Sequence, residues 1–112
     1  MSHRIERFSS TLRHSLADIL MNDINNPHLK SVSITDVHVS PDLKKARVYI
    51  TSSSGEKMQD IIHHLEHARG FIKKILAQRM YLKYVPEFLF LIDDSLDSTY
   101  NQDISKPDDQ IK

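Results

Sequence analysis

The period of the apolar residues changes along this chain, and the change leaves few folds open. From residue 3 to 22, Ile5, Phe8, Leu12, Leu16, Ile19 and Leu20 recur three or four apart and share one stripe of an amphipathic helix. From Ser31 to Thr51 the texture turns β-branched, with Val32, Ile34, Val37 and Val39, then Val48, Ile50 and Thr51. From Met58 to Leu76 the helical spacing returns. Each apolar stripe must be covered, and the simplest cover is a small sheet with helices against one face, an α+β domain.

The boundaries carry their own signals. Asn25-Asn26-Pro27 stops the first helix, because Pro disfavours helical geometry in the residue before it. Ser40-Pro41-Asp42 predicts the turn of a β-hairpin. The alternation slips between Ile34 and Val37, which predicts a bulge or a two-sided strand. Ser53 and Glu56 have the spacing of a capping box at the start of the long helix. Gly70 lies inside that helix at a cost of about 1 kcal/mol against Ala, so a kink or a break into two helices is expected there. Tyr84-Val85-Pro86 ends it. The apolar run Phe88-Leu89-Phe90-Leu91-Ile92 reads as a strand covered on both faces, the central strand of the sheet. The expected order is helix, strand, strand, helix, helix, strand, the order of a type II K-homology domain.

Charge divides the chain in a way its zero total conceals. Residues 1 to 92 carry 13 Lys and Arg against 9 Asp and Glu, a net +4, and residues 93 to 112 carry 2 against 6, a net −4. We therefore expect a domain over residues 1–95 and an acidic, flexible tail over 96–112, where core-sized side chains are few. At 112 residues there is room for one core and none for a second catalytic lobe. The chain has no Cys, hence no disulfide and no thiolate chemistry, which suits a reducing, cytoplasmic setting. Its charged beginning and the lack of a long apolar run point to neither a signal peptide nor a membrane span.

Five segments, in order, resemble the ribosome-binding factor A family: Arg4-Ile5-Glu6-Arg7; Asp23 to Leu29, with Asn26 where Asp is usual; Val39 to Leu43 with Ala46 to Tyr49; Ala68-Arg69-Gly70; and Pro86 to Phe90 with Asp93 and Ser95. The resemblance covers about residues 4 to 95. It implies a K-homology-like RNA-binding domain in which an A-x-G kink at Ala68 and Gly70 replaces the GXXG loop, which two glycines cannot supply. It also implies binding to the small ribosomal subunit and its 16S rRNA late in maturation, with rRNA processing and growth in the cold as the setting. A monomer without cofactor or metal is expected.

The candidate RNA contacts are cations. Arg69, Lys73, Lys74, Arg79 and Lys83 fall between His67 and Pro86 with no carboxylate among them. Arg4 and Arg7 lie one turn apart, and Lys44, Lys45 and Arg47 follow the hairpin turn. Such groups neutralise phosphates and release counterions. His63 and His67 lie one helical turn apart, but without a third ligand at motif spacing they read as solvated histidines. Ser52-Ser53-Ser54 and Asp93-Asp94 read as loop, cap and strand end, so no enzymatic constellation is expected. Tyr49 and Tyr81 are candidates for base stacking or for packing. The rival reading is a protein-interaction module with the same fold, whose charges serve solubility.

Overall fold

The computed structural model describes residues 3–94, so the expected tail lies outside the described residues. Helix α1 spans His3–Asp18, then widens into a π-helical turn at Ile19–Asp23 that ends at Ile24. Asn26 caps the following short 3-10 turn, Pro27–Leu29, by accepting a hydrogen bond from the His28 amide at 3.0 Å. Strands β1 (Val32–Val39) and β2 (Lys45–Ser52) form the antiparallel hairpin, helix α2 (Met58–Arg79) crosses over, and β3 (Glu87–Ile92) returns parallel to β2. A parallel return demands such a crossover.

The expected bulge is present. The β1–β2 register shifts between Ile34 and Asp36, leaving Thr35 as the extra residue. Its hydroxyl donates to the Asp93 carboxylate just past β3, so the bulge is tied to the opposite side of the sheet.

Three expectations are corrected. The sheet order is β1-β2-β3, so β2 is central and the apolar run forms an edge strand. Phe88 and Phe90 are buried while Leu89 is 54% exposed, a one-sided alternation rather than burial on both faces. The capping box does not form: Lys57 holds the N-cap position without a side-chain bond, and the Ser54 hydroxyl accepts the Glu56 amide instead. One uninterrupted helix occupies the span where a kink or two helices were expected at Ala68 and Gly70. The physical reason lies in the stripe. Ile61, Leu65, Ile72 and Leu76 are all fully buried, with Ala68 packed against the core between them, so the helical rhythm continues across Gly70. Gly70 itself is exposed and glycine's cost is only about 1 kcal/mol.

The core is the layer between α1, α2 and the inner face of the sheet, where Leu12, Leu16 and Ile19 meet Val48 and Ile50. The outer face of β2 presents Lys45 and Arg47 to solvent. Helix α2 closes with a Schellman arrangement: the Leu82 amide donates to Ala77 at 2.9 Å and the Met80 amide to Leu76 at 2.9 Å. That arrangement needs a left-handed residue at position 81. Tyr81 occupies it with φ 55, where glycine is the relaxed choice.

Candidate nucleic-acid interface

The cations of α2 are mostly engaged within the protein. Arg69 donates to Glu66 at 2.7 and 2.8 Å, and to Glu87 at 3.3 Å, with its guanidinium 5.4 Å from the Phe90 ring centre. These hydrogen bonds from Arg69 hold the Glu66 carboxyl below its ordinary range, and Glu66 in turn raises Arg69. A lowered carboxylate contributes stability at neutral pH that is lost as acid protonates it, here at a lower pH than for a free glutamate. Lys73 reaches Glu87 at 3.3 Å. Arg79 bridges Asp18 at 2.9 Å and Asp23 at 2.7 Å, clamping the end of α2 to the end of α1.

Removing that clamp is expected to cost little, because partly exposed ion pairs contribute about 0.2 to 1 kcal/mol each. Arg79→Ala should lower Tm by about 2 to 5 °C in a thermal melt. An unchanged melt would show that the pairs contribute nothing.

A second set of cations has no carboxylate within ion-pair distance among the described residues: Arg4, Arg7, Lys44, Lys45, Arg47, Lys74 and Lys83. The fold gathers four of them at one end. Arg4 and Arg7 line a cleft with Phe8, Leu43, Met80 and Leu82, so the start of α1, the hairpin turn and the segment after α2 converge there. Lys44 and Lys83 are the chain neighbours of Leu43 and Leu82. An adjoining cleft places Lys44 beside Tyr84. Lys45 and Arg47 lie apart, on the outer face of β2 beside Leu89, and Lys74 is exposed on α2.

Among the described residues, the two non-glycine residues with positive φ both belong to this end. Leu43 has φ 62 and lines both clefts, and Tyr81 has φ 55 between Met80 and Leu82. Strain of this kind persists where the surrounding structure over-determines it, often at functional sites. Tyr81 and Tyr84 are 93% and 79% exposed, with the Lys83 ammonium 5.7 Å from the Tyr84 ring centre. Cations beside solvent-facing aromatic rings are the parts from which single-stranded nucleic-acid sites are built. The sequence marks Tyr84 only as part of a helix end, because nothing local distinguishes an outward ring from a packed one.

The histidines sort differently from their spacing. The His63 and His67 rings are 4.3 Å apart, but Glu66 between them is committed to Arg69. His28 instead stacks on His64 at 4.0 Å and lies 2.6 Å from Glu56. No described helix is long and apolar enough to cross a membrane.

Comparison with known proteins places this geometry in context. The family profile described as ribosome-binding factor A matches residues 4–106. Ribosome-binding factor A of Staphylococcus carnosus is 40% identical over 104 residues, 92% of this chain and 89% of that protein. The crystal structure of ribosome-binding factor A from Thermus thermophilus superposes with a TM-score of 0.73 at 20% identity, covering 81% of this chain and 97% of that one. Coordinates of the Thermus thermophilus factor, fitted into a cryo-EM map of its complex with the 30S particle, superpose at 0.64 and 22% identity over 77% of this chain and 91% of that one.

Proposed function

Since the chain belongs to the ribosome-binding factor A family, we propose that it binds the small ribosomal subunit through 16S rRNA, using the end of the domain that carries Arg4, Arg7, Lys44 and Lys83 together with the exposed rings of Tyr81 and Tyr84. The observation that carries this reading is the gathering of cations outside the ion pairs around two adjoining clefts at one end of the domain, against the internal pairing of Arg69, Lys73 and Arg79. An assembly role late in subunit maturation, in support of rRNA processing and of growth in the cold, is the family's implied setting for such binding. The act is association without bond making: phosphates replace water around the cations, counterions leave, and exposed rings offer stacking surfaces to unpaired bases. Lys45 and Arg47 extend the positive surface over the outer face of β2.

Co-sedimentation of the protein with purified small subunits over a salt series tests the reading. Binding should weaken steeply, with the logarithm of affinity falling by about 3 or more per tenfold rise in salt. A flat salt response would favour the interaction-module reading, in which the apolar Leu89 and Ile92 on edge strand β3 dock a protein.

Tyr81 separates function from folding at a single residue. Tyr81→Gly relieves a left-handed conformation, so the melt should be unchanged or slightly raised. Loss of a stacking ring worth about 1 to 3 kcal/mol should weaken subunit binding about tenfold. Equal affinity would remove Tyr81 from the interface.

A further inference from the structure

We propose that His28, Glu56 and His64 form a binding site for one divalent transition-metal ion of zinc's character, which ties the start of α2 to the Pro27–Leu29 turn. The three residues come from separate parts of the chain: the turn before β1, the segment leading into α2, and the second turn of α2. One ligand atom from each lies within 4.8 Å of the other two. Two imidazoles and a carboxylate make a donor set that borderline ions accept, whereas Mg²⁺ and Ca²⁺ prefer oxygen alone. Three protein ligands leave a fourth position for water or an outside ligand.

A second observation, independent of spacing, points the same way. Glu56 Oε2 meets His28 Nδ1 at 2.6 Å, but its Oε1 is buried and has no hydrogen-bond partner among the described residues. A buried carboxylate oxygen without a partner is costly, and a cation held by the Glu56 carboxylate would offset that cost. Ligand atoms around a tetrahedral ion stand about 3.3 Å apart, given metal–ligand distances near 2 Å. The ion would therefore take the place of the proton between His28 and Glu56, widening that contact from 2.6 Å to about 3.3 Å. The His28 and His64 rings, now parallel within 8°, would splay so that both nitrogen lone pairs converge. His63 and His67 form the competing pair, on the same helix but without an available carboxylate.

Calorimetric titration of the untagged full-length chain with Zn²⁺ tests the site, followed by a melt with and without the ion. The expected result is saturable one-to-one binding that raises Tm by about 5 to 10 °C. Glu56→Gln keeps the side chain's shape and should weaken binding at least tenfold, as should His28→Ala and His64→Ala. His63→Ala and His67→Ala should bind as the parent does. The proposal is overturned if no saturable binding occurs, or if binding survives Glu56→Gln and disappears with His63→Ala or His67→Ala. A circular dichroism spectrum of Glu56→Gln matching the parent shows that any loss reflects the ligand and not the fold.

Discussion

A variant with Arg4, Arg7, Lys44 and Lys83 all replaced by Ala is expected to lose roughly a thousandfold in affinity for small subunits at 0.1 M salt and to melt almost as the parent does. Each phosphate neutralised contributes about 0.7 to 0.9 to the slope of log affinity against log salt, so four contacts contribute about 3. Extrapolated from 1 M to 0.1 M salt, that slope is itself about three decades of binding. All four side chains are exposed and, among the described residues, none is ion-paired, so their removal leaves no carboxylate stranded. Affinity measured over the salt series must show both effects, a lower intercept and a flatter slope. Retention of the parent slope would mean that this end does not face the rRNA. The matched control is the triple variant Arg69→Ala, Lys73→Ala, Arg79→Ala, expected to melt lower and keep its slope, because those cations are already satisfied by Glu66, Glu87, Asp18 and Asp23. If the control flattens the slope instead, the carboxylates yield their cations to phosphate and α2 carries the contact.

That contrast marks where the sequence stops being legible. The cation run from Arg69 to Lys83 is visible in the chain, and so is the i,i+3 spacing of Glu66 and Arg69. The partners that engage Lys73 and Arg79 in ion pairs are not. Glu87 is 14 residues from Lys73, and Asp18 is 61 residues from Arg79. Only the packing of α2 against β3 and α1 brings them into reach. The same holds for His28 and Glu56, 28 residues apart, whereas the one-turn spacing of His63 and His67 is visible in the chain itself. Local features fared better. The hairpin turn, the slip at Thr35 and the stop before Pro27 follow from backbone preferences of neighbouring residues and stand where the sequence put them. The edge position of β3 lay beyond such reasoning, because a five-residue apolar run does not say which of its faces another element covers.

Gly70 and Ile72, two residues apart on α2, should respond in opposite directions to replacement by the same residue. Gly70 is exposed, and a Cβ built there meets nothing within 4 Å, so Gly70→Ala adds a methyl group at no steric cost. It also removes backbone freedom from the unfolded chain, and the gain should be about 0.5 to 1 kcal/mol. Ile72 is fully buried in the stripe with Leu65 and Leu76. Ile72→Ala removes three buried carbons and leaves a cavity, for a loss of about 3 kcal/mol and a fall in Tm of about 15 °C. Chemical denaturation of the two single variants and the parent measures both signs. The pair tests helix continuity directly, because a break at Gly70 that needed glycine's conformational freedom would make Gly70→Ala destabilising. A stabilised Gly70→Ala beside a weakened Ile72→Ala is the signature of one helix running from Met58 to Arg79, held by its buried stripe against the modest preference of a single glycine.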